Sequence, residues 1–156
     1  MLPRRSSPGP SLSPPVLRTV YDKLGGHRTL GEDVASEADL ARVVLHRIPL
    51  RALEHVKRGG ISDRELERFV IPARTRRHRL SRREKLTVDE SDRLVRLTRV
   101  QALAEDVFGD ATKANRWLRE PLGAFDGTSP LDLSETDAGA RVVEQILAKI
   151  DWGAAA

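Results

Sequence analysis

Between Arg74 and Lys85, seven cationic side chains (Arg74, Arg76, Arg77, Arg79, Arg82, Arg83 and Lys85) stand against one acid, Glu84. Arginine at this density suits a polyanion, because its planar fork matches two phosphate oxygens, or guanine O6 and N7, with parallel hydrogen bonds. Thr75 can meet a phosphate or a thymine methyl. At helical spacing Arg74, Arg77 and His78 share one face, and Arg76, Arg79 and Arg83 lie on the next. The candidate DNA-binding set is therefore Arg74, Thr75, Arg76, Arg77, Arg79, Arg82 and Arg83. With about six cations on phosphates, affinity should fall with salt at a log–log slope near about −5. The competing reading is a solvated basic face partnered by Asp89, Glu90 and Asp92, which follow directly. RNA fits less well, since no aromatic platform accompanies the arginines.

Other chemistries find no residues to carry them. The four histidines (His27, His46, His55, His78) share no metal-ligand spacing, and the absence of cysteine excludes thiolate sites and disulfides. There is no Walker-type glycine loop, no G-x-S-x-G and no dinucleotide fingerprint. Asp89, Glu90 and Asp92 sit where a helix starts, and carboxylates there are ordinarily caps and dipole partners. The sequence thus offers no catalytic residues, no metal ligands and no cofactor site, and it does not read as an enzyme.

The elements that must position the basic stretch are helical throughout. Ser62-x-x-Glu65 is a capping box opening a helix with Leu66, Phe69 and Val70 on its apolar face. Pro72 restarts the chain after a tight turn, and the basic helix runs to about Leu80. A short helix from Pro49, carrying Leu50, Leu53 and Val56, precedes them and ends at Gly59-Gly60. Helix, short turn, cationic helix is the helix-turn-helix pattern. Such units usually pair to read a two-fold operator with half-sites about 34 Å apart, so a homodimer is expected.

Thr87-x-x-Glu90 opens the longest helix, with Leu94, Leu97, Val100, Leu103, Ala104, Val107 and Phe108 on one face, and Gly109 ends it. Asp110 caps the next helix, in which Trp117 reads as core beside Ala114 and Leu118. Ser129-Pro130 caps a single turn. A final helix begins near Asp137, carries Val142, Val143, Ile146, Leu147 and Ile150, and is expected to fray at Trp152-Gly153. Towards the N-terminus, Val16, Leu17, Val20, Tyr21 and Leu24 predict a helix stopped by Gly25-Gly26. Ser36 predicts another running to about His46, with a short strand at Val43-Val44 as the alternative. No other stretch alternates convincingly, so the fold class is all-α.

Charge divides the chain. Residues 1–85 hold 19 Lys and Arg against 10 Asp and Glu, a balance of +9, while residues 86–156 hold 8 against 13, a balance of −5. The formal net charge of +4 hides that asymmetry, which suggests a polyanion partner for one half only. At 39% apolar and 32% charged, the chain reads as soluble and globular, with no membrane span and no secretory signal. The organisation expected is a disordered Pro/Ser-rich arm (1–15), an N-terminal helical segment that is a candidate for dimerisation (16–48), a helix-turn-helix DNA-binding domain (49–85) and a second, partner-binding helical domain (86–156).

Several runs, taken in order, resemble the Xre/MbcA/ParS antitoxins. They are V-I-P-A-R-T (70–75), L-T-V-D-E-S-D-R-L-V-R-L-T-R-V (86–100), V-F-G-D (107–110), A-N-R-W-L (114–118), T-S-P-L-D-L (128–133) and T-D-A-G-A-R-V-V (136–143). The resemblance covers about residues 49–153 and is strongest in the C-terminal part. It implies a type II antitoxin that represses its own operon through an Xre-like helix-turn-helix and binds a toxin through its C-terminal half. The implied toxin has a RES domain, consumes NAD+, and is neutralised when the antitoxin's last helix and tail cover its active-site entrance. Carried onto this chain, the toxin-binding residues would be Lys149, Ile150, Asp151, Trp152 and Gly153, with Trp152 foremost; the alternative for Trp152 is packing back on its own bundle. The implied setting is the bacterial cytoplasm, nucleoid-associated when on its operator. The basic helix departs from a typical repressor recognition helix in being shorter and denser in arginine. A stand-alone dimeric transcriptional regulator without a toxin is the other reading.

Overall fold

Prolines open the first helix and glycines close it. Pro14 and Pro15 occupy the first positions of α1 (Pro14–Lys23), where a missing N–H costs nothing. Gly25 turns the chain at φ +99°, and α2 (Gly26–Leu30) follows where the sequence predicts only a stop. In this computed structural model, which describes residues 11–155, Leu12 is buried and residues 14 and 15 are helical. The expected disordered arm therefore does not extend through residues 11–15, and its first ten residues lie outside the described part. The physical reason is local: paired prolines pre-set helical φ, and Leu12 has apolar surface to cover.

Three capping boxes then set the pace. Ser36 with Asp39 opens α3 (Glu37–Leu45), which is helical through Val43-Val44. A short helix, α4 (Ala52–Arg58), follows, and Ser62 with Glu65 opens α5 (Asp63–Phe69). Pro72 sits at the N-cap of α6 (Ala73–Ser81), and Thr87 with Glu90 opens α7 (Val88–Phe108). In each box the Ser or Thr hydroxyl accepts from the N3 backbone N–H while the N3 carboxylate takes the N-cap N–H, so two otherwise orphaned donors are satisfied at once. Asp110 caps α8 (Ala111–Arg119), Ser129 caps α9 (Pro130–Leu133), and Thr136 accepts from the Gly139 N–H at the head of α10 (Asp137–Ala155). Among the described residues the only β pairing is an isolated bridge between Leu122 and Thr128. The all-α fold class holds, and no described helix is long and apolar enough to cross a membrane.

The architecture turns on α7. Leu94, Val95, Leu97, Thr98, Val100, Gln101, Ala102 and Ala104 are all buried, so nearly the whole circumference of its middle is covered. It packs most heavily on α8, α10 and α1, and also on α3 and α5. Val16, Leu17, Val20, Leu53, Val56 and Leu66 join one continuous core with Ala114, Leu118, Val143 and Leu147. Buried polar groups on α7 are used to fix neighbours. Gln101 donates from Nε2 to the Gly59 carbonyl (2.6 Å) and to Asn115 Oδ1 (3.0 Å). Lys23 meets Glu105 at 2.7 Å with both side chains largely buried.

Candidate functional site

The basic helix is set at the end of a short, well-capped predecessor. Leu66 and Phe69 bury one face of α5, and Val70 and Ile71 carry the turn into the core, with the Ile71 N–H returning to the Leu66 carbonyl. Pro72 then launches α6 outward. No residue of α6 is buried. That is unusual for a helix of nine residues, since most helical stability comes from burying an apolar face. Leu80, which would supply such a face, is 66% exposed.

Side-chain direction sorts the arginines. Arg74, Arg77 and His78 are exposed with no acidic partner among the described residues, and Thr75 beside them is half-buried. Arg76 and Arg79 instead turn to the body of the protein. Arg76 pairs with Asp63 at 3.1 Å, an acid also held by Lys57 at 3.0 Å. Arg79 pairs with Glu90, and only 15% of its side chain and 8% of that of Glu90 remain exposed. Burial pushes the Glu90 carboxyl upward, but the Thr87 N–H and the Arg79 guanidinium outweigh it and hold the group below the ordinary glutamate value. These two differ from the rest of the candidate set in that each has an acid within reach, Asp63 on α5 and Glu90 on α7. The acids at 89–92 partner the basic helix at Arg79 alone among its arginines. Arg82 is exposed with Glu84 at 3.9 Å, and Arg83 is exposed at φ +54° in the turn that ends α6.

The link from α6 to α7 is strapped down rather than loose. Arg47, itself at φ +66°, donates from Nε to the Leu86 carbonyl (2.8 Å) and from Nη2 to the Lys85 carbonyl (3.1 Å). The Leu86 N–H bonds to the Ile48 carbonyl at 3.0 Å, and the Ile48 N–H bonds to Ser91 Oγ at 2.9 Å. Leu86 itself is fully buried. Nothing in an isolated arginine before Ile48-Pro49 signals that Arg47 bridges to carbonyls 39 and 38 positions away. Two further arginines join the halves with no signal in the sequence. Arg68 on α5 reaches Asp132 at 2.6 Å and Glu135 at 3.2 Å, and Arg119 on α8 reaches Glu65.

At the far end, α10 does not fray at Trp152-Gly153 but continues to Ala155. A single glycine costs a helix about 1 kcal/mol, and the alanines around it are the best helix formers. Lys149, Asp151, Trp152 and Gly153 are exposed and Ile150 is half-buried. Trp152 is 80% exposed, so it does not pack back on its own bundle. Trp117 does pack inward, tilted against Phe108 with ring centroids 5.5 Å apart. The histidines stay apart, with His27 on Asp33, His46 on Glu32 and His55 on Thr29. Among the described residues no three His, Asp or Glu side chains converge as a metal site would need.

Comparison with known proteins maps two regions onto this geometry. Residues 39–99, from α3 into α7, match the antitoxin Xre-like helix-turn-helix domain. Residues 103–153, from the end of α7 through most of α10, match the antitoxin Xre/MbcA/ParS C-terminal toxin-binding domain. The chain is 43% identical to an "Antitoxin Xre" of Pseudomonas putida over 97 residues, 62% of this chain and 60% of that protein. It is 28% identical to an "Antitoxin Xre" of Photorhabdus laumondii over 81% of this chain and 87% of the relative. A "Prs ADP-ribosylating antitoxin" of a Sphingobium species is 26% identical over 64% of this chain and 77% of its own length.

Proposed function

Because the chain belongs to the Xre/MbcA/ParS antitoxin family, we propose that it is the antitoxin of a type II toxin–antitoxin pair, neutralising a cognate toxin with its C-terminal helix and repressing its own operon through α5 and α6. The observation that carries this reading is the pairing, on one chain, of an unburied basic helix with a terminal helix that leaves Trp152 80% exposed. A lone large aromatic on a projecting helix is what a partner pocket uses as an anchor. The surrounding Lys149 and Asp151 supply charges of both signs for orientation.

The partner we infer is a RES-domain toxin that consumes NAD+, its active-site entrance covered by Lys149, Ile150, Asp151, Trp152 and Gly153. ADP-ribosylation draws its ADP-ribose from NAD+, so the likeness to the Prs ADP-ribosylating antitoxin of Sphingobium supports an NAD+-directed partner. On the DNA side, Arg74, Thr75, Arg77, Arg82 and Arg83 make the contacts, and two copies of the chain read a two-fold operator. The protein then works in the bacterial cytoplasm, on the nucleoid when bound to its operator.

Co-expression with the neighbouring gene product is the test. That protein should be toxic and deplete NAD+ alone, and be harmless beside this chain. A truncation before Asp151 should restore toxicity while leaving DNA binding intact. A neighbour that is harmless alone would leave the stand-alone regulator as the reading.

A further inference from the structure

The oddest element of the fold is a recognition helix with nothing apolar beneath it. Since α6 buries no side chain of its own, core packing holds it only at its ends, through Ile71 before it and Leu86 after it. Between those ends two side-chain anchors set its rotation, Arg76 on Asp63 and Arg79 on Glu90. The first is the weaker, because half of the Asp63 side chain is exposed and water and salt screen it. The second is largely sealed, and its acid is itself fixed: Glu90 Oε2 also accepts the Thr87 N–H at 2.8 Å, in the capping box that starts α7. A guanidinium locked to a carboxylate that is locked to a helix head has almost no freedom left.

We propose that Arg79, held by Glu90, is a positioning residue for DNA: it sets the angle at which α6 presents Arg74, Arg77 and His78 to the base edges, and it touches no phosphate itself. This rests on the DNA-binding reading above and deepens it. The consequence is a separation of roles along one helix. Hydrogen bonds to bases fail once the donor sits beyond about 3.2 Å or the angle falls below about 120°, so a bidentate base contact needs the helix held in place by the anchor. Attraction to phosphate depends on charge alone and survives a loosened helix.

The experiment uses the full chain and two duplexes of equal length, one from the region upstream of its own gene and one of random sequence, titrated by fluorescence anisotropy at several salt concentrations. Arg79→Ala should cut the preference for the upstream duplex about tenfold, the worth of one bidentate base contact, while its salt slope on the random duplex stays that of the wild type. Glu90→Gln keeps an acceptor for the Thr87 N–H but removes the charge facing Arg79, and it should reproduce the lost preference. It carries the test alone if melting curves show that Arg79→Ala is unfolded. Arg82→Ala is the contrast: its exposed side chain is not assigned to base edges, and its slope should fall by about one on both duplexes. A fall of about one in the slope of Arg79→Ala would make Arg79 a phosphate contact and overturn the proposal, as would an undiminished preference in Glu90→Gln. A wild-type chain with no preference for either duplex would instead overturn the DNA reading itself, and this inference with it.

Discussion

Arg119 grips Glu65 with a two-pronged fork, its Nε and Nη2 each 2.8 Å from a carboxylate oxygen. The same Nη2 also donates to the Gly60 carbonyl at 2.8 Å, so one side chain of α8 holds both the first helix of the helix-turn-helix and the turn before it. Fork geometry of this kind is the strong form of an ion pair. Arg119→Ala should lower unfolding free energy by about 1 kcal/mol, discounted because the pair is partly solvated. Arg119→Lys should recover little of it, because an ammonium cannot make the fork. Thermal melts of the two variants check this.

Acid should unfold the protein through two glutamates. Burial raises both Glu65 and Glu90, but Arg119 with the Ser62 cap on one, and the Thr87 cap with Arg79 on the other, hold each below its ordinary value of 4.5. A carboxylate with a lowered folded pKa stabilises the native state above its unfolded pKa and loses that stability as pH falls through the folded one. Melting temperature should therefore hold down to about pH 5 and drop towards about pH 3. In Glu90→Gln the drop should be shallower. An equal drop in the variant would place the acid sensitivity elsewhere.

Phosphate contacts should be fewer than the count of arginines suggests. With Arg76 and Arg79 occupied, four cations of the set (Arg74, Arg77, Arg82 and Arg83) remain exposed. At most four such contacts give a log–log salt slope no steeper than about −3.6 per protomer, against about −5 for six. Anisotropy titrations across a salt series measure it directly.

Gly139 should tolerate no side chain. A Cβ there would overlap the Leu133 carbonyl oxygen and crowd Thr136, and backbone cannot yield as a flexible side chain can. Gly139→Ala should destabilise by about 1–3 kcal/mol, the usual cost of overpacking, and should weaken toxin neutralisation because α10 is displaced. Trp152→Ala makes the complementary case. Its ring is exposed, so stability should stay within about 0.5 kcal/mol and DNA binding should be unchanged. Neutralisation in co-expression should be lost; full protection would remove Trp152 from the interface.

Most of the framework was readable because it is written in local chemistry. Ser36, Ser62 and Thr87 each announce a helix three residues before the acid that completes the box, and Gly109 announces an end. What could not be read is direction. An amphipathic helix declares its inner face by its apolar stripe, but α6 has none, so the spacing groups Arg76 with Arg79 and offers Glu90 as a partner without showing which arginines turn inward. Their partners, Asp63 and Glu90, lie 13 and 11 positions away on other helices. The continuation of α10 through Gly153 is hidden for another reason: a lone glycine reads as a breaker, but the alanines that follow it carry the helix on. Likewise α2 follows Gly25 because the two glycines at φ +99° and +61° redirect the chain rather than ending it.

The boundary between the two matched regions falls between residues 99 and 103, inside α7 (Val88–Phe108). A single rod thus serves as wall to both rooms, Glu90 at its head steadying the basic helix and its length backing α8 and α10. The two halves are therefore poor currency for recombination. A chimaera joined at any loop, whether before Thr87 or after Gly109, gives α7 to one parent and asks the other parent's helices to pack on a surface they did not evolve with. On the proposed reading, a lineage that takes a different toxin would have to remodel the side of α7 that backs α8 and α10 while the side that steadies the basic helix stands still.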